Sequence, residues 1–151
     1  DEILVAIGGL AGITTSTGLK HPTITRVRFG ESAYTGAVSI TVNVTWDEAV
    51  KYVAGSLGTI VVVSTGTNIT CTVSHIDDVA ITNGLIGNTV RFTGTTVDEA
   101  ATLSIADDTA LGDPDLVDAL GANDALSGAD ATTITAAVKT ASGYSTRAVT
   151  T

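Results

Sequence analysis

The amino-acid sequence predicts an all-β fold, a two-sheet β-sandwich, and three observations support this prediction. Several short segments alternate apolar and polar side chains, which is the pattern of a strand with one buried face. Glycines stand between these segments, where they mark turns. Threonine is the conspicuous excess, at 27 of 151 residues, and its β-branched side chain suits a half-exposed pleated surface.

Residues 38–46 form the clearest predicted strand, because Val, Ile and Trp side chains alternate strictly with Ser, Thr and Asn side chains. Further segments with strand character complete the sandwich, and residues 64–67 are predicted to be a hairpin connection between two of them. These segments are residues 23–29, 59–64, 68–74, 89–93, 133–139 and 145–150. Cys71 falls on the inward face of its strand and is expected to be a small buried residue.

One stretch breaks the strand pattern. Residues 113–121 predict a short helix in a late connection, since Asp113 can serve as the N-cap, Pro114 occupies the first helical position and Gly121 can end the helix. A loop of small residues, 122–130, follows it.

Residues 1–22 differ in character from the sandwich domain predicted for residues 23–151. The N-terminal segment is mainly apolar and is interrupted by glycines. Two interpretations stay open: an arm that pairs with another subunit, or an extra edge strand of the same domain. In the first interpretation the side chains expected to contact a partner are Ile3, Leu4, Val5, Ile7, Leu10 and Ile13.

Arg26 and Arg28 are further candidate contact residues. They alternate with Val27 on the first strand of the sandwich, and Ile24 is predicted to share their face. Ion pairing between neighbouring strands would explain the two arginines, and so would docking onto an acidic partner.

Composition excludes several classes of function. Seven Lys and Arg against sixteen Asp and Glu give a net charge of −9, and no cluster of cations is evident that could displace the counterions of a nucleic acid. The sequence contains no apolar run of about 18 residues, which is the length that a membrane-spanning helix needs. Two His and Cys71 cannot build a zinc site of the usual kinds, and no Gly-x-Ser-x-Gly motif is present. We therefore expect no enzyme, no catalytic residues, no metal and no cofactor.

Two further patterns have competing explanations. Seven of the sixteen acids lie in residues 107–130. Clustered Asp can bind calcium, but the spacing of an EF-hand loop is missing and a solvated acidic loop is favoured. Asn43 and Asn68 each begin an Asn-x-Thr triplet, which is the acceptor pattern for N-glycosylation and which also arises by chance in a Thr-rich chain.

The order of segments resembles a bacterial immunoglobulin-like domain. Ile24-Thr25-Arg26-Val27 is followed by Tyr34-Thr35-Gly36 and by a strand from Val38 to Val50, and in that family a glycine-bearing turn leads into an I-x-V-x-V-x-F-x-E-x-V strand. The closing residues 138–144 are similar to the family's D-x-A-G-N turn, with Ser142 and Tyr144 replacing Ala and Asn. The resemblance covers roughly residues 23–150, implies an immunoglobulin-like sandwich and brings no catalytic residues.

Such domains occur on tailed-phage virions, among them capsid decoration proteins, and in surface adhesins and surface-layer proteins. The resemblance, the acidic charge and the apolar N-terminal segment lead us to expect a structural protein of a bacteriophage virion. It would be a decoration or cement protein that docks in many copies on the major capsid protein or on identical subunits. The alternative is a secreted, extracellular cell-surface filament (pilin-like) or adhesin subunit that assembles through its N-terminal strand. An enzyme or sugar-binding module is disfavoured, because aromatic residues make up only 4% of the chain.

Overall fold

A computed structural model of the protein describes residues 22–53, 58–107, 109–110, 116–118 and 133–151. The described part is built mainly from strands, so the predicted all-β fold is confirmed. The elements in chain order are β1 (Ile24–Phe29), β2 (Tyr34–Thr35), β3 (Ser39–Tyr52), β4 (Thr59–Ser64), β5 (Ile69–Ile76), β6 (Val79–Ala80), β7 (Ile86–Thr95), β8 (Ala101–Ser104), β9 (Thr109–Ala110), β10 (Leu116–Asp118), β11 (Thr133–Ile134), α1 (Ala136–Ala141) and β12 (Arg147–Thr150).

The strands form one curled sheet in the order β1-β3-β7-β5-β4-β8-β12-β2. Lettered in chain order, with β10 and the two-residue strands left aside, β1-β3-β7-β5 is A-B-E-D and β4-β8-β12 is C-F-G. That is the strand order of immunoglobulin-like sandwiches, in which ABED and CFG form the two sheets.

Strand β4 belongs to both halves of the sandwich. Its residues 59–62 pair with β5, and Val63 and Ser64 pair with β8. One strand therefore joins the ABED half to the CFG half by backbone hydrogen bonds.

The core lies between these two halves. Alternation in β3 buries Ile40, Val42, Val44 and Trp46, as the sequence predicted, and β7 adds Phe92 from the same half. The facing strands and their neighbours contribute a second set to the same cluster: Ile60, Val62, Leu103, Ile105 and Val149. Each fully buried side chain of this size contributes roughly 1.5–3 kcal/mol through removal of apolar surface from water.

The last strand lies next to the other edge of the sheet, which is β2. β12 pairs antiparallel with β8 and parallel with β2, with Val149 opposite Tyr34 and Thr150 opposite Thr35. The N–H of Gly36 also donates to the carbonyl of Thr150 at 2.7 Å. The strand predicted at residues 145–150 is confirmed over Arg147–Thr150.

The predicted helix at residues 113–121 is wrong where the structure describes that segment. Leu116–Asp118 is strand β10 and pairs antiparallel with the end of β3, with Leu116 opposite Tyr52. The capping signals at residues 113–114 remain valid for a helix in isolation. In the fold, pairing with the end of β3 gives the backbone N–H and C=O groups of residues 116–118 their hydrogen-bond partners.

The helix of the fold lies later in the chain. Residues 133–139 were predicted to be one strand, but the strand β11 covers only Thr133–Ile134, and α1 follows at Ala136–Ala141. The hydroxyl of Thr135 accepts from the N–H of Val138 at 3.2 Å, so Thr135 is the N-cap. Gly143, with φ of 62°, supplies the left-handed residue after the helix.

Candidate functional site

Strand β1 presents Arg26 and Arg28 on the outer face of the ABED half, and both side chains are exposed, as the sequence predicted. Ile24 does not share that face, because the register against β3 shifts between Ile24 and Arg26. This bulge inserts one extra outward residue and turns Ile24 into the core, where it is 2% exposed.

The arginines lie in two rows that cross the sheet. Arg28 is opposite Asn43 of β3, which is opposite Arg91 of β7; in the next row Arg26 is opposite Thr45. Neighbouring strands are about 4.8 Å apart, so the backbones of Arg28 and Arg91 are about 10 Å from each other, with Asn43 between them.

These rows form an open recess with a volume of about 530 Å³. We call it the arginine recess. Its lining residues are Arg26, Arg28, Phe29, Gly30, Asn43, Thr45, Asp77, Asp78, Thr89 and Arg91.

The far end of the arginine recess is the tight turn between β5 and β6. Asp77 and Asp78 occupy its two central positions, with φ of 47° and 65°, and positive φ at both positions identifies a type I′ turn. The carboxylate of Asp77 accepts from the backbone N–H groups of Asn88 (3.3 Å) and Thr89 (2.9 Å). Asp78 forms an ion pair with Arg91.

A smaller recess of about 220 Å³ adjoins the first and shares Arg28, Phe29 and Gly30 with it. Arg147 lines this second recess, with its guanidinium 5.6 Å from the centre of the Phe29 ring. Its Nε donates to the carbonyl of Glu31 at 2.6 Å. All four arginines of the sequence therefore gather around one part of the surface, although the chain is strongly acidic.

Arg26 and Arg28 differ from the other two arginines in having no side-chain partner in the part of the chain that the structure describes. Arg91 binds Asp78, and Arg147 binds Glu31 and Ser145. Within the described residues, the side chains of Arg26 and Arg28 make no hydrogen bond or ion pair. Their cross-strand neighbours are Thr45 and Asn43, so ion pairing between neighbouring strands does not explain them. Two exposed guanidiniums with free donors can bind carboxylate or phosphate oxygens in a bidentate manner.

Sequence reasoning missed Arg91 and Arg147 as members of this group. Arg91 alternates outward within its predicted strand, but its position opposite Asn43 depends on the pairing of β3 with β7. Arg147 lies near the Phe29 ring because β12 pairs with β8, and the sequence pattern does not show this pairing.

Ser74 and His75 form the contact in the described residues that most resembles a nucleophile and its base. His75 Nδ1 is 2.9 Å from Ser74 Oγ. The Ser74 hydroxyl also lies 2.7 Å from Thr93 Oγ1 and donates to the carbonyl of Arg91 at 3.2 Å. These contacts tie β5 to β7, and we assign Ser74 a structural role on this basis.

The described titratable groups with shifted pKa values are buried or half-buried in or beside the core. Burial raises the pKa of the Cys71 thiol to about 11. Burial also raises the pKa of Tyr144 to about 12, where the Tyr144 hydroxyl accepts from the N–H of Ile105 at 2.6 Å. Lys139 forms an ion pair with Asp107 at 3.1 Å and lies 4.7 Å from the centre of the Tyr144 ring.

The structure separates the two Asn-x-Thr triplets. Asn68 is exposed in the hairpin turn between β4 and β5, where its Oδ1 accepts from the N–H of Ser64 at 3.0 Å. Asn43 is half-buried in the middle of the sheet, between Arg28 and Arg91.

Several predicted features lie outside the described residues. The apolar contact candidates Ile3, Leu4, Val5, Ile7, Leu10 and Ile13 do, and so does most of the acidic segment 107–130. Among the described residues, no group of three or more His, Cys, Asp or Glu side chains is placed to hold a metal ion. No helix in the described ranges has the length and apolar character needed to cross a membrane.

Comparison of the chain with protein-family models, with curated proteins and with solved structures found no match.

Proposed function

We propose that the protein is a non-enzymatic structural subunit of a bacteriophage virion, an immunoglobulin-like capsid decoration protein that docks in many copies on the shell of the major capsid protein. The observation that carries this proposal is the pair Arg26 and Arg28 on the outer face of a chain with a net charge of −9. Both side chains are exposed and have no side-chain partner among the described residues. Such a surface favours docking onto an acidic protein surface.

The fold supports the same proposal. The ABED and CFG strand order is that of immunoglobulin-like domains, and the bacterial domains that the sequence resembles include capsid decoration proteins. Net negative charge elsewhere on the chain would keep free copies apart before assembly.

The experiment has two parts. Gold-labelled antibodies against the protein, applied to particles from the producing culture, are expected to decorate capsid shells. Label on filaments or on cell envelopes, with none on shells, would overturn the proposal in favour of a filament or adhesin subunit.

The second part tests the docking surface. Shells stripped of the protein are expected to rebind the unaltered chain and to lose most binding of an Arg26→Glu/Arg28→Glu double variant. A matched control is Lys51→Glu, which reverses a half-buried cation on β3 outside the arginine recess. Equal rebinding by the double variant and the control would contradict docking through this surface.

A further inference from the structure

We infer that the arginine recess binds an extended acidic segment of a partner protein, in which carboxylates alternate with uncharged residues and two of them bind Arg26 and Arg28. This inference rests on the proposed function, since it names the chemistry of the docking partner. It is carried by the spacing of the arginines, by a carboxylate already bound in the recess and by the charges at its far end.

The spacing of the two free arginines matches an extended chain. Arg26 and Arg28 are two residues apart and both exposed on one strand, so their Cα atoms are separated by about 6.6 Å along β1. An extended partner segment repeats its side chains on one face at the same interval. Carboxylates at alternate positions would therefore each meet one guanidinium.

The neighbours of the two arginines can bind the rest of such a segment. Asn43 is opposite Arg28 and Thr45 is opposite Arg26, and both line the recess. The Asn43 amide donates and accepts, and the Thr45 hydroxyl does the same. The Thr45 hydroxyl already contacts that of Thr89 at 3.0 Å, which leaves it further capacity to accept.

Asp78 already places a carboxylate in the recess. It comes from the turn between β5 and β6 and pairs with Arg91, on the strand two positions from β1. Its side chain is 84% exposed whereas that of Arg91 is 30% exposed. The recess therefore already holds one guanidinium–carboxylate contact, and two further guanidiniums have no such partner within the described chain.

The same turn argues for a protein partner over a nucleic acid. Asp77 and Asp78 line the end of the recess opposite to Arg26 and Arg28. A continuous run of phosphates that crosses the recess would meet these carboxylates and be repelled. An acidic peptide avoids this repulsion, because its carboxylates are discrete and can lie over β1 alone.

The test is a titration of the full chain with a synthetic peptide of alternating Glu and Thr, followed by NMR of the backbone amides and by fluorescence anisotropy. Shifts are expected at Arg26, Arg28 and Asn43, with affinity that falls as salt rises. Arg26→Gln/Arg28→Gln is expected to weaken binding about tenfold or more, because two charge-assisted contacts are lost. Lys51→Gln is the matched control and should bind like the unaltered chain.

A second variant tests the role of the far end. Asp78→Asn frees Arg91 and removes one negative charge, so it should bind the peptide more tightly and should gain binding to a single-stranded oligonucleotide. The unaltered chain is expected to bind inorganic phosphate and the oligonucleotide far more weakly than the peptide.

Three outcomes would overturn the inference: no peptide binding, peptide shifts that lie away from β1 and β3, or oligonucleotide binding as strong as peptide binding. These outcomes are distinguishable from failure of the proposed function. Gold label on capsid shells without peptide binding would leave the virion role standing. Peptide binding without label on shells would leave the recess standing as an acidic-peptide site.

Discussion

The hydroxyl of Ser142 accepts a hydrogen bond of 2.9 Å from the buried backbone N–H of Val27, which lies 115 residues earlier in the chain. The same hydroxyl donates to the carbonyl of Val138 at 2.7 Å. β1 is an edge strand of the curled sheet, and an edge strand with free N–H groups can pair with other chains. Ser142, which follows α1, therefore binds an N–H group in the middle of this edge, where another chain could otherwise pair. The exposed outer face of β1 remains available as a contact surface.

Replacing Ser142 by Ala is expected to destabilise the fold by about 1–3 kcal/mol, because the buried N–H of Val27 loses its acceptor. Urea unfolding monitored by Trp46 fluorescence measures this change. Ser39→Ala is the control, since Ser39 is exposed at the start of β3 and should change stability by less than about 0.5 kcal/mol. Equal stability of the two variants would show that the Val27 N–H is satisfied in another way.

The turn between β5 and β6 allows a matched comparison of two aspartates. Asp77→Gly and Asp78→Gly both place glycine at a positive φ, where it is favoured. Only Asp77 binds the backbone N–H groups of Asn88 and Thr89. We expect Asp77→Gly to be less stable than Asp78→Gly by about 1 kcal/mol, allowing for the exposure of the site. Thermal unfolding of the two variants checks the order, and the reverse order would contradict it.

Glycine at position 94 is required by close packing between β7 and β5. A Cβ on Gly94 would lie 2.7 Å from Cys71 Sγ and 3.0 Å from the carbonyl oxygen of Thr70. Gly94→Ala is therefore expected to destabilise the fold by about 1–3 kcal/mol. At Gly66 a Cβ would meet only the flexible carboxylate of Glu99, so Gly66→Ala should cost less. Chemical denaturation of both variants gives the comparison, and a larger loss for Gly66→Ala would refute it.

The buried thiol of Cys71 is expected to make stability fall at alkaline pH. Its pKa is about 11 in the folded chain against an ordinary value of 9.0. Well below pH 9 the thiol is protonated in both states and adds no pH dependence. Between pH 9 and 11 the unfolded chain releases this proton while the folded chain keeps it, so the free energy of unfolding decreases as pH rises.

The slope from one such thiol is at most about 1.4 kcal/mol per pH unit. Urea unfolding at pH 9 and above measures it. Cys71→Ala is the control and should be less stable overall but show a smaller alkaline slope. The variant retains the contribution of Tyr144, whose raised pKa of about 12 acts from pH 10 upward. An identical slope in both chains would exclude the thiol as its source.

The sequence predicted well the strands that bury one face in the core. The strict alternation of residues 38–46 placed Ile40, Val42, Val44 and Trp46 in the core because period-2 burial is a local property. The hairpin at residues 64–67 followed from two strands and a Gly-bearing turn, and β4 pairs with β5 as predicted.

The errors arose where pairing over long sequence separation decides the structure. Residues 116–118 follow the helix-start signals of Asp113 and Pro114, but pairing with β3 makes them a strand. Residues 133–139 were predicted to be one strand, yet Thr135 caps a helix at Ala136–Ala141 that packs beside β1. To predict the arginine recess, one would have to know the register of β1, β3 and β7, and the sequence pattern does not contain that register. Only its first two members, Arg26 and Arg28, could be predicted.

The parallel pairing of β2 with β12 has a mechanical consequence. When a stretching force is applied to the start of β2 and the end of β12, the two parallel strands are sheared along each other. Their hydrogen bonds, together with the bond between Gly36 and Thr150, then bear the tension together and do not open one at a time. Strand β4 would pass that tension into both halves of the sandwich. The fold is therefore arranged to resist stretching along this axis more strongly than peeling across it.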